Sequence, residues 1–185
     1  IMVRVHFFVA AVIFFVLNIS GICHADSCKI VWTDKEREFI EDNLVIRLGV
    51  DPAFVPFEFI DNDGEYKGIA ADYVELLSEK TGLDMKIAEG LTWPEAYDKA
   101  VNGEIDVLPA ISKTAEREQQ FLFTEPYYYF KRVIVIRDTN TSIKGLEDLE
   151  GIPVAVQKNS SHHSYLISFP QINLSLYESV ETALT

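Results

Sequence analysis

Short apolar segments typical of strands alternate with segments of helical periodicity, and this alternation limits the folds open to the chain. Residues 44–50, 85–88 and 105–110 are short and apolar enough to form buried strands. Residues 69–81 and 94–102, which lie between them, carry apolar side chains at helical spacing, and a glycine suited to a helix end follows each. Strands and helices in this order form parallel sheets with helical crossovers. We therefore predict an α/β fold.

A second unit of the same kind is predicted to begin near residue 138, after a fully apolar strand at 133–136. Its predicted elements are a strand at 154–156, a helix at 160–168 and a strand at 172–176. Open parallel sheets bind ligands beyond the carboxyl ends of their strands, so the cleft between two such units is the expected ligand site. We predict lobe 1 over residues 44–132 and a crossover with an incomplete lobe 2 over residues 133–185.

Shorter features complete the predicted organisation. Residues 26–43 form a lead-in segment, with a capped helix at 33–43 in which Thr33 is followed three residues later by Glu36. The run Asp61-Asn-Asp-Gly64 favours a turn in a hairpin. A third helix of the first lobe is predicted to begin near Thr114.

The first 25 residues differ in kind from the rest. Arg4 precedes an apolar run over 7–17, and small residues occur near Ala25, a pattern typical of a secretory signal. An uncleaved N-terminal anchor is the alternative. Cleavage after Ala25 would leave Cys28 as the one cysteine, so no internal disulfide is expected. We predict a periplasmic or other extracytoplasmic location.

The charge of the chain excludes some partners. Acidic residues outnumber basic ones by 29 to 16, for a formal net charge of −13. An acidic surface repels nucleic acid and anionic lipid, so neither is an expected partner. The sequence contains no zinc-binding pattern, and we expect no metal and no cofactor.

Arg117 is the most informative candidate residue. If Thr114 caps the third helix, Arg117 occupies the third helical position, where a cation opposes the helix dipole. A locally unfavourable arginine beside free helix amides is suited to binding an anion in a bidentate manner. The alternative is a surface arginine paired with Glu116 or Glu118.

Other candidates lie at neighbouring strand ends. Ser160 and Ser161 open the predicted helix of lobe 2 and could bind the same anion, or only cap the helix. Asp51 could accept an ammonium group or simply start a turn before Pro52. Phe54 and Trp93 could stack on a ligand side chain or belong to the core.

An ordered set of motifs resembles the bacterial extracellular solute-binding proteins of family 3, the periplasmic amino-acid-binding type. These motifs are Leu48-Gly-Val-Asp51-x-x-Phe54-x-Pro-Phe-Glu-Phe, Asp63-Gly-x-Tyr-x-Gly68, Gly103-x-Ile-Asp106, Ser112-x-Thr114-x-x-Arg117, Phe123-Thr-Glu-Pro-Tyr-Tyr and Leu146-x-Asp148-Leu-x-Gly151-x-x-Val154-Ala-Val156. The resemblance implies a type II periplasmic binding protein-like fold, a two-lobed Venus flytrap whose second lobe is truncated here.

The resemblance also implies roles for particular residues. Arg117 and Ser112 resemble the pair that binds a ligand α-carboxylate, and Ser161 resembles their partner from lobe 2. Asp51 matches a position that often holds a polar group of the ligand. Phe54 and Trp93 match positions that often wall the ligand side chain.

Two positions depart from the family pattern. Ala110 stands where many amino-acid binders place a serine near the ligand amine, and Asn159 stands where glycine is frequent. The expected ligand is an amino acid or related carboxylate, and the expected partner is a membrane permease or a fused transmembrane signalling module. The segment around Trp32 to Ile40 resembles the lead-in of sensor histidine kinase domains.

The rival interpretation is an enzyme on the same scaffold. Relatives of this kind include cyclohexadienyl dehydratase-like and lytic transglycosylase-associated proteins. Such chemistry needs a positioned acid–base group, and Asp51 is the only obvious cleft candidate for that role. The sequence contains no Gly-x-Ser-x-Gly and no His-Glu-x-x-His motif. We therefore predict a binding protein and not an enzyme.

Overall fold

The computed structural model of the protein describes residues 30–42 and 45–184. The predicted signal segment, residues 1–25, lies outside the described residues. The chain divides into two units, residues 1–36 and residues 37–185. Among the helices that the structure describes, none combines the length and the apolar character that a membrane span requires.

The first helix that the structure describes, α1 (Asp34–Asp42), begins as predicted at a capping box. The amide of Thr33 donates to Glu36 Oε2 at 2.7 Å, and the amide of Glu36 donates to Thr33 Oγ1 at 3.3 Å. These reciprocal bonds satisfy amides that the first helical turn leaves free. The bonds that the Glu36 carboxylate accepts from the amide and the hydroxyl of Thr33 lower the pKa of Glu36.

The remaining elements lie in residues 37–185. In chain order they are β1 (Val45–Leu48), β2 (Ala53–Phe54), β3 (Glu58–Ile60), β4 (Tyr66–Lys67), α2 (Ile69–Thr81), β5 (Asp84–Ile87), α3 (Trp93–Val101), β6 (Pro153–Gln157), α4 (Ser161–Leu166), β7 (Asn173–Tyr177) and α5 (Val180–Leu184). Two 3₁₀ turns, Arg117–Gln119 and Leu146–Leu149, also occur.

The predicted parallel sheet of the first half is confirmed in β1 and β5, with Val45 opposite Asp84 and Leu48 opposite Ile87. Helix α2 connects the two strands and ends, as predicted, at Gly82, whose φ of 75° is the left-handed conformation typical of a helix C-terminus. A parallel sheet needs such a crossover, because its strands run in the same direction. The carboxyl end of β1 therefore leads directly into the candidate site.

Two clusters of buried apolar side chains form the core of the first half. One comprises Ile46, Leu48, Val50, Val74 and Leu83, and the other comprises Trp93, Ala96, Ile105 and Leu108. Gly49 lies where the chain passes the second cluster, and a Cβ there would come within 2.9 Å of Ile105 Cδ1 and Leu108 Cδ2. The close packing next to the site thus depends on a residue with no side chain.

The predicted hairpin is also present, as the antiparallel sheet β2–β3–β4. Its turn is held by Asp61, whose Oδ1 accepts from the amides of Asp63 and Glu65. An aspartate that binds amides further along its own chain is a common turn device. This hairpin carries Glu58 on β3 and Tyr66 on β4.

The second half repeats the parallel arrangement. Strands β6 and β7 pair from Pro153 opposite Asn173 to Gln157 opposite Tyr177, and α4 connects them. The strands and the helix predicted here are confirmed, although α4 ends at Leu166 and not at 168. The junction between β6 and α4 forms the second wall of the candidate site.

Three predicted elements are wrong in form. Residues 105–110 contribute only a bridge from Val107 to Leu48, and Pro109, which has no N–H, cannot extend the pairing. The third helix is a single 3₁₀ turn, in which the amides of Gln119 and Gln120 donate to the carbonyls of Glu116 and Arg117, each three residues earlier. Residues 133–136 form no strand in the described structure, where Val133 is 73% and Val135 is 72% exposed.

Candidate functional site

Arg117 lies at the centre of the candidate site and is only 1% exposed. Its Nη1 donates to the carbonyl of Ser112 at 2.7 Å, and its Nη2 donates to the carbonyl of Asn159 at 2.6 Å. Ser112 belongs to the first half of the chain, and Asn159 belongs to the β6–α4 junction of the second. The guanidinium therefore joins the two halves.

Two aromatic rings enclose the same guanidinium. Its Cζ lies 5.9 Å from the ring centroid of Trp93 and 5.4 Å from that of Tyr97, both on α3. Rings at these distances attract a cation through their negative faces. Burial lowers the pKa of Arg117, and the neighbouring Tyr97 works in the opposite direction. An arginine remains charged through such a change.

No carboxylate of the described residues forms an ion pair with Arg117. The Nε atom is buried and has no hydrogen-bond partner in the described structure. A buried charge without an opposite charge costs several kcal/mol, on the order of 3–5 when a partner is removed. The surface alternative, a pairing with Glu116 or Glu118, is wrong, because Arg117 is buried and Glu118 pairs with Lys113. The arrangement is suited to receiving an anion.

The β6–α4 junction presents two buried hydroxyl residues. Ser160 is the N-cap of α4, and its Oγ accepts from the amide of His163 at 3.1 Å. Ser161 is the first residue of the helix and is also buried. Asn159 has a φ of 57°, in the left-handed region that glycine tolerates best. This conformation explains why asparagine, which also tolerates it, can stand there.

Asp51 lies at the carboxyl side of β1 and is 5% exposed. Its Oδ1 accepts from the amide of Ala53 at 3.0 Å, as expected of a turn starter. Its Oδ2 accepts from Nε2 of Gln157 at 3.0 Å, across the two halves of the chain. Burial raises the pKa of Asp51, and these two hydrogen bonds limit the rise.

Glu58 is completely buried on β3 and supports Asp51 from behind. Its Oε1 accepts from the amide of Asp51 at 2.9 Å, and its Oε2 accepts from the hydroxyl of Tyr66 at 3.0 Å. Burial raises the pKa of Glu58 to about 8, with a further contribution from the charge of Asp51. Burial, together with Glu58, also raises the pKa of Tyr66.

The remaining predicted residues are placed differently from one another. Phe54 belongs to an aromatic cluster, with its ring centroid 4.6 Å from that of Phe57 and 5.9 Å from that of Phe130. Trp93 is a member of the second apolar cluster as well as a cover for Arg117. Ala110 is half-buried. Ser112 contributes its backbone carbonyl, not its hydroxyl, to the contact with Arg117.

The structure therefore brings Arg117 together with Ser112, Trp93 and the junction that carries Ser160 and Ser161. Sequence reasoning did not assign roles to Glu58, Tyr97 or Gln157. Gln157 could have been found from its position at a strand end beside the predicted serines. Glu58 gave no such signal, because an exposed face is the usual place for a glutamate between two phenylalanines.

Two further observations concern the surroundings of the site. An open groove of about 610 Å³ is lined by residues 135–137 and 139–143, and none of the predicted site residues lines it. Among residues 30–42 and 45–184, no group of three or more His, Cys, Asp or Glu side chains is placed to hold a metal ion.

Comparisons with known proteins identify relatives of the chain. The chain is 29% identical to the virulence sensor protein BvgS of Bordetella bronchiseptica over 136 residues, which are 74% of this chain and 11% of that protein. It is 31% identical to the probable amino-acid-binding protein YxeM of Bacillus subtilis over 149 residues, covering 78% of this chain and 55% of the relative. The chain thus spans about a tenth of the sensor and about half of the binding protein.

A solved structure of holo ArgBP from T. maritima superposes with a TM-score of 0.71 at 26% sequence identity, covering 80% of this chain and 66% of the other. The fold is therefore α/β, of the two-lobed type II periplasmic binding-protein class. Residues 46–185 match the profile of the bacterial extracellular solute-binding proteins, family 3. The match covers well over half of the chain, which accordingly belongs to this extracellular family.

Proposed function

We propose that the chain binds a small carboxylate-bearing solute, an amino acid or a close relative, between its two α/β halves. The observation that carries this proposal is the buried guanidinium of Arg117, which has no acidic partner among the described residues and a free Nε. A ligand carboxylate would supply the missing opposite charge with charge-assisted hydrogen bonds. The names of YxeM and ArgBP support an amino acid as the ligand class.

Each predicted site residue has a role in this proposal. Arg117 binds the carboxylate from lobe 1, while Ser112 holds the guanidinium in place. Ser161 and Ser160 approach the same group from lobe 2. Asp51 binds a polar group of the ligand. The apolar boundaries of the ligand are Phe54, Trp93 and Ala110.

Solute binding is proposed to act through closure of two lobes, residues 44–132 and residues 133–185, with residues 133–136 as part of the crossover. Hinge closure of this kind moves an open–closed equilibrium by the difference in ligand affinity between the two states. The partner that responds to lobe closure is proposed to be a membrane permease or a fused transmembrane signalling module. The likeness to a sensor protein favours signalling. Export is proposed to depend on residues 1–25.

Isothermal titration calorimetry of the protein against a panel of amino acids tests this function. Arg117→Ala should weaken binding of the ligand found by at least about 100-fold, since it removes the charge that pairs with the carboxylate. Arg47→Ala is the matched control, because Arg47 also carries hydrogen bonds and an ion pair, to Asp106, but is exposed. The control should stay within about threefold of the unmodified protein.

The panel should also include each amino acid as its amide, in which the carboxylate is neutral. Loss of binding with the amides identifies the carboxylate as the group that Arg117 requires. Unchanged affinity in Arg117→Ala, or equal binding of acid and amide, would contradict the proposal.

A further inference from the structure

Four residues at buried or half-buried positions, three from residues 51–66 and one from the end of β6, form one chain of hydrogen bonds, here named the Glu58 network. Its members are Tyr66, Glu58, Asp51 and Gln157. The hydroxyl of Tyr66 donates to Glu58, the amide of Asp51 donates to the same carboxyl group, and Gln157 donates to the Asp51 carboxylate. The three bonds measure 3.0, 2.9 and 3.0 Å. The network therefore runs from the hairpin, through the end of β1, into lobe 2.

The two ends of this network serve different purposes. The hairpin end is internal to lobe 1, since Tyr66 lies on β4 and Glu58 lies on β3. The far end crosses to the β6–α4 junction, where Gln157 is two residues before Asn159, the partner of Arg117. Whatever fixes Asp51 therefore fixes one of the contacts through which lobe 2 meets lobe 1.

Asp51 depends on Glu58 for its orientation. The strand β1 has ended at Leu48, so the amide of Asp51 is outside the β1–β5 ladder, and it bonds to Glu58 Oε1 instead. A buried amide needs such a partner. With its amide held, and with Oδ1 engaged by the amide of Ala53, Asp51 directs Oδ2 to Gln157.

We propose that Glu58 is a positioning residue of the binding site, which acts through Asp51 to hold the β6–α4 junction of lobe 2 in register with lobe 1. This inference rests on the proposed function, in which that junction carries the lobe 2 residues that bind the ligand. Glu58 itself is completely buried and does not contact the ligand in this proposal.

The charges around Glu58 make the network depend on the protonation state of its carboxyl group. Asp51 is the acidic group that faces it, and the hydroxyl of Tyr66 completes its surroundings. Tyr127 lies close enough to be influenced by its charge. With the pKa of Glu58 raised to about 8 by burial, the neutral form predominates at pH 7. Ionisation would place a second negative charge beside Asp51 with no cation among these groups.

Hydrogen–deuterium exchange of the full chain without ligand tests the proposal. The reporters are the amide of Asp51, which bonds to Glu58, and the amides of Asn159 and His163 in the junction. Glu58→Ala should speed exchange at Asp51 by about tenfold or more, since it removes the one acceptor of that amide. It should also speed exchange at the two junction amides by at least about threefold.

Two variants provide controls. Glu58→Gln keeps an oxygen acceptor for the Asp51 amide, so both sets of amides should exchange within about twofold of the unmodified rate. Glu65→Gln removes one negative charge from the same hairpin at an exposed position and should change neither set. Faster exchange at Asp51 with no change at Asn159 and His163 would show that Glu58 acts only within lobe 1, and would overturn the proposal.

A pH series keeps the proposal testable if Glu58→Ala does not fold. After correction for intrinsic rates, opening of the junction should increase with pH by up to about tenfold per unit, because opening lets Glu58 lose its proton. The increase should level off near pH 8. In Glu58→Gln the dependence should shrink to the smaller part that the raised pKa of Asp51 contributes, and a full slope up to pH 8 in that variant would contradict the proposal. Exchange needs no ligand, so a failure of solute binding would be seen separately in calorimetry.

Discussion

The molecule contains two buried polar regions that face the same β6–α4 junction, and they are stabilised in opposite ways. Arg117 is a cation with no ion-pair partner among the described residues, held by two carbonyls and two aromatic rings. Glu58 and Asp51 are two acids with no cation beside them in the part of the chain that the structure describes, and every oxygen of both groups lies within hydrogen-bond distance of a group in the chain. The cation retains an unused donor, whereas the acids are satisfied within the chain.

The difference indicates what each region is for. A satisfied buried network stabilises one conformation, while an unsatisfied buried charge lowers stability until a partner arrives. Substitutions that are equal in size should therefore have unequal consequences. The acidic region should govern the free energy of unfolding, and the region around Arg117 should govern ligand affinity.

The largest effect is expected from Glu58→Leu. Leucine fills the space but leaves the amide of Asp51 and the hydroxyl of Tyr66 without their acceptor. Each buried group left unpaired costs about 1–3 kcal/mol, so the free energy of unfolding should fall by about 2–6 kcal/mol. Urea denaturation followed by circular dichroism measures this change. Stability within about 1 kcal/mol of the unmodified protein would show that water satisfies both groups and that the network is dispensable.

The pH dependence of stability should be the next largest effect. Glu58 has its pKa raised to about 8 in the folded protein, above its value of 4.5 when unfolded, so the folded state holds a proton that the unfolded state loses. Its contribution to stability is complete below pH 4.5 and is lost progressively as the pH rises to about 8. The slope should approach about 1.4 kcal/mol per pH unit.

Urea titrations at several pH values measure that slope, and Glu58→Gln provides the matched control. Asp51 also has a raised pKa, so a smaller loss of stability in the same direction should remain in the control. A protein whose stability rises between pH 5 and pH 8 would contradict the assignment of Glu58 as neutral in the fold.

These two regions also differ in how well the sequence predicts them. Arg117 is recognisable because a cation early in a helix is locally unfavourable, although the predicted helix proved to be one 3₁₀ turn. Glu58 is hidden within Phe-Glu-Phe, where strand alternation places it opposite the phenylalanines. It is buried only because the hairpin brings Tyr66 and the end of β1 around it. Partners eight and seven residues away cannot be read from local pattern.

The same limit explains the wrong prediction at residues 133–136. Four consecutive apolar residues satisfy every local condition for a strand, but a strand also needs a neighbour to pair with. The parallel pairs β1–β5 and β6–β7 were predictable, because a helix of suitable length lies between the members of each pair. The local sequence pattern predicts helices and strands that are joined by a crossover. Whether a segment without such a crossover partner pairs as a strand depends on the rest of the fold.

A smaller effect is expected from Arg117→Leu. Leucine removes a buried charge that has no ion-pair partner, which should stabilise the fold, but it leaves the carbonyls of Ser112 and Asn159 without their donor. Because these effects oppose each other, the free energy of unfolding without ligand should change by less than about 2 kcal/mol. Ligand binding should nevertheless be lost. Urea denaturation, with and without the ligand found by calorimetry, separates the effect on intrinsic stability from the effect on ligand binding. A loss of several kcal/mol without ligand would mean that Arg117 serves the fold, and the contrast with Glu58 would disappear.

The smallest effect is expected from Asn159→Gly, which tests how the two regions share one junction. Glycine adopts the φ of 57° without strain and keeps the carbonyl that meets Arg117, but it removes the bond from Nδ2 to Asp98 Oδ1. That bond is exposed, so stability should fall by no more than about 0.5 kcal/mol. Asn159→Ala loses the same bond and adds strain in the left-handed region, costing about 1 kcal/mol more. Equal stability of the two variants would mean that the backbone at this junction relaxes freely, and the registration ascribed to Glu58 would then have nothing rigid to hold.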